Sequence, residues 1–334
     1  MNEYAEYTAP VMGSRMIRIP WCIGLVFLVS CEELTDKRID SFASMGTVVH
    51  VQDGTNIEIV KEIFEHIDSE LSEWRPNSSL SEINMNAGKS GVNCSETVVS
   101  AIRKALYIAH LTDGAFDPTW ACMWHLWDFE LKRAPSIKEV VSLLPLVQWK
   151  KVSVTNTTIF LEDEGMLLGL GAMAKGIALN QTRDALLANG VEDFLLRVGG
   201  QVLVQGSERT IGIRNPEGLA YDIIGVVTLQ NRCISTSGDY EKYFFIDGVR
   251  FHHIIDPATG FPTTGLKSVS VIAEDAAIAD ALSTALMVMG VHAGLALIEE
   301  LDGIEVLFID DLMALHQSTG FHLDSHPSGS WQNK

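Results

Sequence analysis

Positive charge is scarce in this chain of 334 residues: 24 Lys and Arg stand against 43 Asp and Glu, a formal net charge of −19. Such a surface repels phosphate backbones and excludes general nucleic-acid binding. A nucleotide could still be held by local devices: backbone N–H groups, one or two placed cations, or a metal. Cysteine is also sparse. Five are present, no two at CxxC spacing, so neither a disulfide framework nor a thiolate metal site is indicated. Internal repeats, low-complexity linkers and a clear domain boundary are all missing. What is plentiful is apolar residue, 47% against 20% charged, which excludes disorder as the overall state. Collagen-like, coiled-coil and multi-span membrane classes fail on composition.

The N-terminal apolar run, Ile19 to Val29, is too short to cross about 30 Å of hydrocarbon as a helix. Arg15 and Arg18 precede it, and Ser30-Cys31 follow. A basic flank, a short apolar stretch and a small residue describe an export signal over residues 1–31. Leu28-Val29-Ser30-Cys31 further resembles the bacterial lipoprotein box, in which the cysteine, here Cys31, is acylated. Glu3 and Glu6 fit no signal region, so translation is expected to start at Met12 or Met16. Loss of Cys22 and lipidation of Cys31 leave Cys94, Cys122 and Cys233, enough for one disulfide at most.

Along residues 32–334, apolar spacing predicts a helix over Asn56 to Leu71 (Ile59, Ile63, Ile67, Leu71). A second follows over Ser95 to His110 with Ser95 as N-cap, and a third over Ala172 to Ala188. Strands are predicted at Thr47 to Val51, on both sides of Asn156, and over Phe194 to Gln205, Ile223 to Leu229, Val249 to Ile254, Ser268 to Ala273 and Glu305 to Ile309. Helices are expected near 275–289 and 292–301, and a loose polar tail from Gln317. Strands and helices alternate without a βαβ rhythm, which argues α+β in a single domain of mixed sheets and helices.

Chemistry concentrates in a few places. In Ala276-Ala-Ile-Ala-Asp280-Ala-Leu-Ser-Thr284, an apolar helix carries a carboxylate and a hydroxyl one turn apart on one face. An unpaired buried carboxylate is costly, so Asp280 needs a cation, a donor set or a route to water. The pair suits Mg²⁺; equally, Asp280 could accept backbone N–H bonds while Thr284 bonds back to its own helix. Leu168-Gly-Leu-Gly-Ala-Met-Ala-Lys175-Gly176 fails as a P-loop because Lys175 follows Ala174 rather than Gly. It remains either a phosphate-facing loop or a tight packing turn. His253 stands before the turn Asp256-Pro-Ala-Thr-Gly260 and is either structural or catalytic. Asp113-Gly-Ala-Phe-Asp117-Pro reads as a capped turn and Ser72-Glu-Trp74-Arg75-Pro as a surface loop.

Their order along the chain says more than any one of them. Met45-Gly-Thr47, Leu71-Ser-x-Trp74-Arg75-Pro with Ser78 and Asn84, and Gly114-Ala-Phe-Asp117-Pro resemble the ApbE family of FAD:protein FMN transferases. So do Gly171-Ala-Met-Ala-Lys175-Gly176, Val198-Gly-Gly200, Ser237-Gly-Asp239-Tyr240, His253-Ile-Ile-Asp256-Pro-x-Thr-Gly260 and Ala279-Asp280-Ala-Leu-Ser-Thr284. The resemblance spans about residues 42–310.

It implies an ApbE-like (T-fold-like) architecture and an enzyme that splits FAD at its pyrophosphate. Such an enzyme attaches FMN to a Thr or Ser of a target protein and releases AMP. It implies Mg²⁺ held by the Ala172 carbonyl, Asp280 and Thr284, with His253 as general base and Lys175 beside the dinucleotide. Met45, Trp74, Ala115, Phe116 and Asp117 would line the FAD site. Trp74 keeps an aromatic face where many relatives have Tyr. Where many have Asp, this chain has Gly169, and some loss of FAD anchoring is expected. The implied partners are acceptor proteins carrying a flavinylation motif, such as Rnf or sodium-pumping quinone reductase subunits or FMN-binding domains. The implied location is a bacterial membrane, through a lipid anchor, facing the periplasm. Two alternatives stand beside transfer: a Mg²⁺-dependent FAD pyrophosphatase, and a flavin-binding lipoprotein without turnover.

Overall fold

The computed structural model describes residues 39–52, 54–219 and 221–324; the expected export signal, the expected start site and Cys31 lie outside them. In chain order the elements begin with β1 (Ile39–Ser44), β2 (Thr47–Gln52), α1 (Ile57–Leu71), α2 (Ser79–Met85), β3 (Val92–Asn93) and α3 (Glu96–Leu111). A 3₁₀ segment, Pro118–Leu126, leads to α4 (Ile137–Leu143), β4 (Val152–Val154), β5 (Thr158–Leu161) and α5 (Ala174–Ala188). Next come β6 (Phe194–Val198), β7 (Gln201–Gln205), β8 (Arg209–Arg214), β9 (Ile223–Leu229), β10 (Arg232–Gly238), β11 (Tyr243–Ile246) and β12 (Val249–His252). The chain continues through β13 (Leu266–Ala273), α6 (Ala276–Ile298), β14 (Glu305–Asp310) and β15 (Leu315–Gln317). The architecture is α+β, as expected.

Its frame is an eight-stranded sheet in the order β1-β2-β6-β7-β10-β13-β14-β15, antiparallel at every pairing. Successive side chains on a strand point to opposite faces, and here both faces are covered. Leu203, Cys233, Val271 and Val306 join the large core with the helices. Their neighbours Val204, Ile234, Ile272 and Leu307 join Ile213, Val227 and Leu229 of the β8–β9 hairpin on the other face. A third core of Cys122, Met123, Leu126, Trp127, Val140, Phe244 and Ile255 lies under the 117–147 excursion and the β11–β12 hairpin. Cys94, Cys122 and Cys233 are free thiols.

Local signals place the helices. Asn56 caps α1 by accepting the Glu58 N–H at 3.2 Å, and Ser95 caps α3 by accepting the Val98 N–H. The buried stripe of α1 is Val60, Phe64, Ile67 and Leu71, with Ile59 and Ile63 at its flank. Helix α6 is long and apolar enough to cross a membrane by composition alone, yet its buried side chains sit in the core against β10 and β13. Gly290 breaks it at φ 75°, ψ 175°, where the sequence predicts two helices. Asp275 caps its N-terminus, pairs with Lys104 of α3 and accepts the Asn180 amide of α5 at 2.7 Å. These bonds fix α6 against its neighbours.

Two expectations are corrected. Phe194 to Gln205 is a hairpin rather than one strand. Gly199 turns at φ 54°, and a Cβ on Gly200 would stand 2.5 Å from the Thr236 carbonyl oxygen. The loose tail from Gln317 is also wrong for its described part. Ser318 is buried and its hydroxyl accepts the Val306 N–H, Phe321 is fully buried, and Asp324 bridges to Val226. Phe321 completes the core beneath the β8–β9 hairpin.

Candidate active site

Asp280 enters the core from α6 with 5% of its surface exposed, and its Oδ2 has no hydrogen-bond partner. Lys175 Nζ, on the first turn of α5, lies 3.7 Å from that oxygen. Helix α5 can come this close because Gly176 has no side chain where it crosses Ala276 and Ala277. Burial raises the Asp280 carboxyl above the usual carboxylate range, opposed by Lys175, Gln201, the Gly176 N–H and Ser235. One turn on, the Thr284 hydroxyl lies 3.3 Å from Ser237 Oγ of β10. The two α6 oxygens predicted to act together thus lie one turn apart on the helix face packed against β10, with Lys175 of α5 and Gln201 of β7 beside Asp280.

The loop before α5 is held from three sides. Asn84 pins Leu168 twice, accepting its N–H at 2.7 Å and donating to its carbonyl at 2.9 Å. The Gly169 N–H donates to the Pro118 carbonyl at 2.9 Å, and Lys175 Nζ donates to the Gly171 carbonyl at 3.0 Å. The Glu73 carboxylate fills the space beside the loop glycines: Oε1 would be 3.4 Å from a Cβ on Gly169 and 3.2 Å from one on Gly171. Burial pushes the Glu73 carboxyl up, while the Leu170 and Gly171 backbone and Lys175 pull it down. A carboxylate from position 73 therefore stands where Gly169 supplies none.

His253 follows β12, its N–H donating to the Lys242 carbonyl at 3.0 Å. Its Nδ1 is buried without a partner. Burial, then the neighbouring His252, with Lys175 and Lys242 adding, lowers the ring's pKa to about 4. The Lys175 charge is thus felt by both His253 and Asp280. Lys242 Nζ lies over the rings of Trp124 and Phe129, at 5.5 and 5.2 Å. Trp124 in turn meets the 65%-exposed Trp74 edge to face at 5.8 Å. Trp74 therefore offers an open aromatic face next to Glu73, at the rim of the loop.

The other predicted contact residues are placed differently. Met45 sits in the β1–β2 turn at φ 48° and lines a cleft of about 510 Å³ with Gly46, Glu65, Asp68 and Arg75. Phe116 is buried in the large core. Asp117 caps the 3₁₀ segment, accepting from the Thr119 N–H and hydroxyl at 2.8 and 2.6 Å and from the Trp149 N–H at 3.1 Å. Both its oxygens are engaged by protein, as the capped-turn alternative has it. Ala115 is half-buried in the turn before it. Glu73, Ser237 and Ser283 stand inside the quoted motifs without an assigned role, and Gln201 and Ser235 stand outside them; the run Ser235-Thr-Ser237 is the sequence signal for this side of the site.

Fold and site together define an α+β protein with a buried carboxylate beside a half-buried lysine, a histidine whose Nδ1 is buried, and an exposed aromatic rim. The ApbE family model matches residues 45–308, and the chain belongs to the ApbE family. A Treponema pallidum protein named FAD:protein FMN transferase is 33% identical over 276 residues, 76% of each chain. One of the same name from Klebsiella pneumoniae is 32% identical over 287 residues, 83% of this chain and 90% of its own. Among solved structures, the ApbE protein of Thermotoga maritima superposes with TM-score 0.78 at 32% identity, covering 85% of this chain and 97% of its own. The apo flavinyl transferase ApbE of Pseudomonas stutzeri gives 0.74 at 28% identity, covering 86% and 97%.

Proposed function

We propose that this protein is an FAD:protein FMN transferase that moves the FMN half of FAD onto a Thr or Ser hydroxyl of a target protein and releases AMP. The reading is carried by the surroundings of Asp280: a buried carboxylate with an orphaned oxygen, 3.7 Å from Lys175 and one helical turn from the Thr284 hydroxyl, with His253 within the field of the same lysine. Phosphoryl transfer needs little covalent help from protein and much charge neutralisation and positioning. The acceptor oxygen bonds to the FMN phosphorus, the bond from that phosphorus to the AMP phosphate oxygen breaks, and AMP leaves. His253, neutral near pH 7, takes the hydroxyl proton. Lys175 supplies positive charge beside the pyrophosphate, and the Asn84-pinned loop holds its backbone in place. Trp74 gives the isoalloxazine a stacking face.

The pocket fits Mg²⁺. Among the described residues no cluster of three or more His, Cys, Asp or Glu forms a metal cage, so a cation here takes one carboxylate and neutral oxygens. The orphaned Asp280 Oδ2, the Thr284 hydroxyl and the Ala172 carbonyl are hard donors of the kind Mg²⁺ prefers, leaving room for phosphate oxygens. When bound, Mg²⁺ supplies Lewis-acid neutralisation of the pyrophosphate and of the departing AMP. We also assign lipid anchoring at Cys31 and an exported location, supported by the signal pattern of residues 15–31.

The test is incubation with FAD, Mg²⁺ and a target domain bearing an Asp-x-x-Ser/Thr-Gly-Ala-Thr-like acceptor. Flavin fluorescence should stay with the target on a denaturing gel. FMN and AMP released equally with and without target would mean hydrolysis instead. Intact FAD bound throughout would mean a binding protein without turnover.

A further inference from the structure

The hydroxyls behind Thr284 form a chain with a fixed direction. Ser283 Oγ lies 2.8 Å from the Asp280 backbone carbonyl, and a carbonyl only accepts, so the one Ser283 proton is committed there. Ser237 Oγ lies 2.8 Å from Ser283 Oγ; with that proton spent, Ser237 must be the donor. Thr284 Oγ1 lies 3.3 Å from Ser237 Oγ, and with Ser237's proton committed, Thr284 must donate in its turn. Ser283 is fully buried, and the Ser235 hydroxyl, also buried, lies 3.4 Å from its Oγ. All three protons of the relay are therefore committed within the protein, and the Thr284 oxygen is left with lone pairs only.

We infer that Ser237 and Ser283 are positioning residues that orient the Thr284 hydroxyl as an acceptor-only ligand for the cation beside Asp280. This rests on the metal pocket of the proposed function. A neutral hydroxyl binds a cation well only when its proton is aimed elsewhere, and a Thr facing water has no such preference. The α6 Asp280 carbonyl, to which a helical Thr at i+4 ordinarily bonds back, already takes the Ser283 hydroxyl. Thr284 is thereby released to bond across to β10. Outer partners of this kind typically set metal affinity by about 10- to 100-fold.

The experiment is calorimetric titration of Mg²⁺ alone into the full chain, wild type against Ser237→Ala and Ser237→Thr, with melting temperatures taken with and without Mg²⁺. Ser237→Ala is expected to weaken Mg²⁺ binding about tenfold and to shrink the Mg²⁺-induced rise in melting temperature. Ser237→Thr, which keeps the hydroxyl, should restore both. A purely structural role would lower both melting temperatures together and leave the Mg²⁺ affinity unchanged, which would overturn the relay. If Ser237→Ala does not fold, Ser283→Ala breaks the next link and must give the same loss. A wild-type chain that binds no Mg²⁺ would overturn relay and metal pocket together. One that binds Mg²⁺ through the relay but transfers no FMN would overturn only the transferase reading.

Discussion

Gly176→Ala adds one methyl where α5 crosses α6. Its Cβ would lie 2.3 Å from the Ala276 carbonyl oxygen, 2.6 Å from the carbonyl carbon and 2.5 Å from Ala277 Cα. Ordinary contacts lie beyond 3.4 Å, so the shortfall is about 1 Å, and the atoms in the way are backbone of a packed helix. Overpacking of this kind costs about 1–3 kcal/mol, and the rigidity of the neighbours argues for the upper part of the range. Alanine offsets some of that, since it favours a helix interior over glycine by about 1 kcal/mol. The net expectation is a loss of about 2 kcal/mol, or roughly 3–4 °C in melting temperature for a domain of this size. The helices can relieve the clash only by parting, which also moves Lys175 away from Asp280, so the transfer rate should fall with stability. Calorimetric melting and initial rates check both. A melting temperature equal to or above wild type would mean that helix propensity outweighs the clash, and the close crossing would be refuted.

The pH dependence of transfer follows from His253, whose ring is held to a pKa of about 4. The base is neutral and available above that value, so the rate should stay level from pH 8 to about 5 and fall as pH drops through about 4. A midpoint near the unperturbed value of about 6.5 would contradict the assignment. His253→Ala should lower kcat by about 10²- to 10⁴-fold with FAD binding retained, measured by single-turnover transfer and FAD fluorescence titration. Asp280→Ala should abolish the Mg²⁺ dependence and remove nearly all activity; wild-type turnover at any Mg²⁺ concentration would contradict the metal pocket. Phe321→Ala should destabilise the fold by about 3–5 kcal/mol in denaturant titration, whereas a loose tail would leave stability unchanged.

Sequence periodicity located the elements that bury a clean apolar face. Helices α1 and α3 announce themselves by Asn56 and Ser95 at their N-termini and by regular apolar spacing, and β9, β13 and β14 by apolar runs. Strand β10 shows no clean apolar period because Ser235 and Ser237 face α6, placing hydroxyls where apolar side chains would otherwise stand. The β6–β7 hairpin looked like one strand because its turn is only two glycines. Phe321 was masked by its polar neighbours.

The site divides the same way. Asp280 and Thr284 are legible because helix geometry alone puts i and i+4 on one face. The pairing of Lys175 with Asp280 depends on a helix crossing, and the place of Glu73 beside Gly169 depends on a loop packed from three distant segments. Neither leaves a spacing in the chain. Phe116 and Asp117, prominent as a motif, have their side chains engaged in packing and capping, so a ligand there meets mainly the backbone of the turn.

The central claim is tested most directly by intact-mass spectrometry of an acceptor domain after incubation with this protein, FAD and Mg²⁺. The account predicts an acceptor heavier by FMN less one water, mapped to a single Thr or Ser, with one AMP released for each modified acceptor and none formed without Mg²⁺. An unmodified acceptor in the presence of FAD-bound, Mg²⁺-loaded protein would contradict it.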